Sequence, residues 1–207
     1  VLVTQLLGYI RDDVLRDFES PPLFSDAALL SALNSGVALM ARRTHIFVDQ
    51  VQLETEPDVA HYPIAKNILF IRSITNDRGI HLFQLTRKHK LPHREGVPVA
   101  FYADTTFRGK IELVPTPTDI YFYDISFAYK PELLIGADDL PLEHDHAVLL
   151  ADYVASKLLR TNDPDGTQMV AARNFEESWN RGIQEMAREH IRYSAGDNPT
   201  AHPRLWT

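Results

Sequence analysis

LLSALNSGVALMARRTHIFVDQVQLE, residues 29–54, decides the fold, because its apolar period changes from helical to extended within a few residues. Leu29, Leu30, Leu33, Val37 and Met40 recur at three- and four-residue steps and lay one apolar stripe along a helix. Small residues at Ala32, Ser35, Gly36 and Ala41 permit close packing. From Phe47 onward, Phe47, Asp49, Val51 and Leu53 alternate with Val48, Gln50, Gln52 and Glu54, the pattern of a half-buried strand. A helical region therefore hands over to a β region near residue 46.

Upstream, Phe24-Ser25-Asp26 reads as the start of that helix. Ser25 is the N-cap, Asp26 sits favourably at the positive helix end, and Phe24 is placed to staple against Leu29. Before it, Val3, Leu6, Leu7, Ile10, Val14, Leu15 and Phe18 form the stripe of a first helix, which Ser20-Pro21-Pro22 stops. Downstream, period two continues. Residues 68–74 read as a strand, Asn76-Asp77-Arg78-Gly79 as a turn, and residues 80–85 as the returning arm of a hairpin. Further strands follow over 99–103 and 111–114, and a long one over 120–129 places Tyr121, Tyr123, Ile125, Phe127 and Tyr129 on one face, read as core.

Helical spacing returns after Leu140-Pro141, with Ala147, Val148, Ala151, Val154, Ala155, Leu158 and Leu159 on one stripe. Asn162-Asp163-Pro164 breaks and restarts it, with Asp163 as N-cap. Met169, Ala172, Phe175, Trp179, Ile183, Met186 and His190 then mark the last helix. The segment from Ser194 holds Gly196, Pro199 and Pro203, so an irregular arm is expected, ending Arg204-Leu205-Trp206. The fold class is α+β: an antiparallel bundle of N- and C-terminal helices (1–45 plus 142–192), an inserted antiparallel β domain (46–141) and an extended C-terminal arm (193–207).

With 207 residues and 44 % hydrophobic content, the chain can bury a full core. A net charge of −7 removes any global attraction to phosphate backbones or anionic lipid. Cysteine is absent, which excludes disulfides, thiolate metal sites and a thiol nucleophile. The first residues lack the basic and apolar blocks of a secretory signal, and no apolar run approaches the roughly 18–20 residues that span a bilayer. A soluble protein made in the cytoplasm is expected.

Catalytic constellations are not apparent. Glu143-His144-Asp145-His146 is the densest group of metal-capable side chains, but residues two apart on a helix diverge, whereas helical ligands want spacings of three or four. A solvated helix start is the reading. No serine lies in a strained strand-turn-helix context, and no glycine-rich phosphate loop occurs. Neither an enzyme nor a metal or cofactor is expected.

Two stretches suit partners. Arg87, Lys88, His89, Lys90, His93 and Arg94 form one basic run in an acidic chain, a contact for DNA or an acidic neighbouring subunit, or else a solvated loop. No aromatic residues interleave with these charges, which argues against base stacking. The arm, with Tyr193 at its root and Arg204, Leu205 and Trp206 at its end, offers an anchor, since Trp is favoured where a chain inserts into a partner.

Taken in order, four local features resemble a known family. They are Phe24-Ser25-Asp26-x-x-Leu29-Leu30, Gly96-x-Pro98-x-x-x-Tyr102, Ile111-x-Leu113-x-Pro115-x-Pro117, and Leu140-Pro141 followed by a helix carrying Leu150 and Tyr153. The succession, spanning roughly residues 20 to 192, is similar to tailed-phage head-to-tail adaptor proteins, also called connector or head-completion proteins. The chain departs in carrying Phe24 where such adaptors often have Trp, and in the basic segment before Gly96.

The resemblance implies a virion structural protein at the portal vertex. It would form a dodecameric ring that docks under the portal protein, continues the channel for genomic DNA without sequence-specific binding, and presents a platform to a downstream tail or stopper protein. Tyr193, Arg204, Leu205 and Trp206 would grip the portal or a neighbouring subunit. The rival readings are a DNA-binding module using residues 87–94, another tail component such as a stopper or terminator, and a metal-dependent enzyme at 143–146.

Overall fold

The computed structural model describes residues 1–85, 94–104, 109–162, 166 and 168–196, the stretch 190–196 as backbone. Its helices and sheets make an α+β fold in two compact units, Val1–Ile46 with Pro131–Thr207, and Phe47–Lys130. The helical unit begins with α1 (Val3–Tyr9), which buries Val3 and Leu6 and runs directly into a π-helical stretch, Ile10–Leu15. A π turn takes more residues than an α turn. The apolar stripe expected to continue to Phe18 therefore rotates off the core, and Phe18 stands 74 % exposed. Arg16, in the left-handed region at φ 52°, ends the element.

Helix α2 (Asp26–Thr44) starts where its cap residues place it. Ser25 Oγ accepts the Ala28 N–H at 3.2 Å, and Phe24 and Leu29 are both buried. Its C-terminus closes at His45, whose N–H reaches the Ala41 carbonyl at 3.0 Å from a left-handed conformation. Helix α3 (His144–Asn162) packs against both α2 and α4 (Gln168–Gly196). At the first seam Gly36 lets Tyr153 and Leu150 approach the α2 backbone. At the second, Trp179 is 2 % exposed with its ring 5.1 Å from that of Tyr153, and Arg160 pairs with Glu176. Asn34 ties the chain after the β unit to α2, accepting the Leu134 N–H at 2.7 Å and donating to its carbonyl at 3.1 Å.

One expectation is corrected here. Helix α4 continues to Gly196, so Tyr193 and Ser194 are helical rather than part of an extended arm. Nothing in Arg192-Tyr193-Ser194-Ala195 breaks a helix, and Gly196 stands at its end, where glycine terminates helices. The Asp163 cap and residues 197–207 lie outside the described residues.

In the β unit, β1 (Val48–Glu54), β9 (Phe122–Tyr129) and β3 (Ile68–Asn76) form an antiparallel sheet in the order β1-β9-β3. A second sheet has the order β2-β7-β6-β4, from β2 (His61–Pro63), β7 (Lys110–Val114), β6 (Ala100–Asp104) and β4 (Phe83–Gln84). A short pair, β5 (Glu95–Gly96) with β8 (Thr116–Pro117), completes it. β3 buries Ile68, Ile71 and Ile74, a spacing of three that a regular strand would send to alternate faces. Register shifts between Ile68 and Phe70 and between Ile71 and Ser73 each absorb one extra residue. The three isoleucines thus stay opposite Tyr129, Phe127 and Ile125. With Phe101, Ile111, Leu113 and Tyr123 they build the core of this unit.

The turn after β3 forms as its residues dictate. Gly79 takes φ 75°, and Asn76 Oδ1 accepts the N–H groups of Arg78 and Ile80 at 3.0 and 2.9 Å. The returning hairpin arm is shorter than residues 80–85 suggest. After a Thr75–His81 bridge and a Leu82 N–H to Ile74 carbonyl bond of 2.8 Å, the chain leaves and β4 pairs in parallel with Ala100–Phe101 of β6. The insert is therefore antiparallel apart from two short parallel pairs. β1 also differs from its half-buried reading. It is a sheet edge, exposed at every residue but the partly covered Leu53.

Candidate interaction surfaces

Of the basic run, Arg94 alone is described. It is exposed, and its carbonyl accepts the Thr116 N–H at 2.9 Å, which fixes the exit of the segment onto β8. Arg87, Lys88, His89, Lys90 and His93 lie outside the described residues, as do Arg204, Leu205 and Trp206. Tyr193 is placed as backbone on the last turns of α4.

At 143–146, α3 begins with Glu143 supplying its carbonyl to the Ala147 N–H at 3.1 Å. Glu143, His144 and Asp145 are exposed and His146 half-buried. Among the described residues no three His, Asp or Glu side chains converge on one point.

An open cavity of about 580 Å³ lies against the π-helical stretch of the helical unit, lined by Asp13, Leu15, Asp152, Gln168 and Phe175 among others. Burial pushes the Asp152 carboxyl above its ordinary range, against the opposing pull of a 2.6 Å hydrogen bond donated by Ser178 Oγ. No histidine, serine or lysine lines this cavity to form a nucleophile and base pair.

Asp17 and Arg11, which the helical period places on the polar face of the first helix, are structural. Asp17 is 7 % exposed and accepts the N–H groups of Leu23 and Phe24, both at 2.9 Å, while Arg11 donates to the Phe24 carbonyl at 2.8 Å and pairs with Asp26 at 2.7 Å. Burial alone would raise the Asp17 pKa, but the bonds from Phe24 and Leu23 and the charge of Arg11 outweigh it and hold the carboxyl below its ordinary value. No sequence signal marks this role, since it depends on the chain reversing after Arg16.

Comparison with known families supplies the class of the protein. The family model of the SU10 adaptor protein matches residues 2–202. The chain belongs to that family, and is thus an adaptor of a bacterial virus, a structural component of the virion concerned with tail assembly rather than a member of a known enzyme class. No match was found among curated proteins. No described helix is long and apolar enough to cross a membrane.

Proposed function

We propose that the protein forms a ring beneath the portal, extends the channel through which DNA passes, and offers the surface to which the tail or a stopper attaches. The observation that carries this reading is the match to one adaptor family along nearly the whole chain, helical and β units alike. Twelve copies would follow the symmetry that the resemblance implies.

Two physical arguments support it. A net charge of −7 suits a conduit, because a wall that neutralised many phosphates would hold the DNA it must release. The chain beyond Gly196 carries Arg204, Leu205 and Trp206, an anchor pattern suited to gripping the portal or a neighbouring subunit. Ordering such an arm costs conformational entropy, so the anchor has to bury enough apolar area to offset it.

Complementation tests this. Added to DNA-filled heads that lack the adaptor, the full chain should restore tail joining, whereas a chain ending at Gly196 should fold with unchanged helicity and fail to join. Normal joining by the shortened chain would refute the role given to the arm.

A further inference from the structure

The cavity beside the π-helical stretch has a volume of about 580 Å³, within the range of roughly 300–1,000 Å³ that receives ligands. A π turn is rare and recurs at functional sites, and here it brings Asp13 and Leu15 to one wall, with Arg16 just past its end. The facing wall supplies Asp152 and Leu159 from α3 and Gln168 and Phe175 from α4. Two polar groups on that wall lack the partner they need. Asp152 is partly buried and holds only the Ser178 hydroxyl; among the described residues no cation pairs with it. Gln168 buries its amide oxygen without a hydrogen-bond partner. Both call for N–H donors, and the carboxylate calls for charged ones. Among the described lining residues Asp13 and Asp152 outnumber Arg16, so the recess is acidic, while Leu15, Leu159 and Phe175 make part of it apolar.

The chain beyond Gly196 carries the complementary chemistry. Arg204 offers a cationic fork of N–H donors, Leu205 an apolar side chain, and Trp206 an indole N–H on an aromatic body. The other run of cations, 87–94, contains no aromatic residue to cover the apolar wall. We propose that the cavity receives Arg204-Leu205-Trp206 of a second copy, with the guanidinium between Asp13 and Asp152 and the two apolar side chains against Leu15, Leu159 and Phe175.

Chain length selects a second copy over the same one. Gln168 and Phe175 precede Gly196 by 28 and 21 residues of helix, about 42 and 31 Å at the α-helical rise. Arg204 follows Gly196 by eight residues, which span at most about 29 Å when fully extended. A chain that must also turn back at Gly196 does not lay this segment along its own cavity walls; a neighbour's is free of that limit. The contact joins two different patches, so it passes from copy to copy around a ring. The inference thus rests on the ring reading and gives the ring a subunit-to-subunit contact.

Fluorescence anisotropy of a labelled peptide of residues 197–207, titrated with the full chain, tests it. Saturable binding is expected. Arg204→Ala or Trp206→Ala in the peptide, and Asp152→Asn or Asp13→Arg in the protein, should each weaken it by roughly tenfold or more. Asp13 is exposed, so its variant keeps the test open if Asp152→Asn fails to fold. A peptide of the same composition in scrambled order should bind much more weakly. No binding to the full chain, binding to purified portal rings instead, binding unchanged in both protein variants, or equal binding of the scrambled peptide would each overturn the assignment. The assay needs neither portal nor ring, so these results would leave the ring reading standing, whereas portals left bare by the full chain would count against the ring itself.

Discussion

Residues whose role is set by their immediate neighbours are readable, and those whose role needs a distant partner are not. Ser25 is an example of the first kind, since capping needs only a hydroxyl and the next three residues, and its 3.2 Å bond to Ala28 is in place. Asp17 is the second kind. By periodicity it belongs to the solvent face of the first helix, yet the π-helical stretch and the left-handed Arg16 turn it inward beneath Leu23 and Phe24. Hydrogen bonds to a charged group contribute about 1.5–3 kcal/mol each way such a site is broken, so Asp17→Asn should destabilise the protein by about that amount at neutral pH. The sign of the pH dependence follows from a folded pKa below the ordinary 3.8. The contribution of Asp17 is complete above the unfolded value and is lost as pH falls through the depressed folded one. Chemical denaturation across the acid range should show wild type and Asp17→Asn converging as pH drops below about 4, near the ordinary aspartate pKa. A constant gap down to the acid limit would contradict the assignment.

Among the elements, the helices with strong 3.6-residue stripes form where the stripes lie, and the departures have local causes. The π-helical stretch cannot be told from α by apolar spacing over two turns. In β3 the spacing of Ile68, Ile71 and Ile74 contradicts an ideal strand, and only the bulges of its pairing with β9 reconcile it. The exposure of β1 was hidden because alternation reports which side chains share a face, not whether a further strand lies beyond. The α2–α3 seam gives an element-scale expectation. A Cβ at Gly36 would meet Tyr153 Cδ1 at 2.8 Å and Leu150 Cδ2 at 3.2 Å. Gly36→Val, a β-branched residue at that contact, should cost about 1–3 kcal/mol by overpacking, measured by urea unfolding. An unchanged midpoint would mean that the two helices do not meet there as described. Reading Gly36 as a close-packing residue was open from sequence; that Tyr153 is what it accommodates was not.

For the molecule as a whole, the order helix, sheet, helix was legible in the change of period near Phe47 and its reversal after Leu140, because both are long and regular. The parallel excursions of β4 and β5 were not, being pairs of two residues that only the tertiary arrangement selects. The family was within reach of local motifs, and the match across residues 2–202 makes it firm. The proposed contact residues at the C-terminus rest on composition and on the position of the chain after α4. What the account depends on is that these surfaces assemble with a portal. Electron cryomicroscopy of purified portal rings mixed with the protein tests this most directly. A second ring of matching symmetry is expected, seated on the tail-facing side of the portal and coaxial with an open channel. Portals left bare at saturating protein, or copies bound at the shell away from the axis, would contradict it.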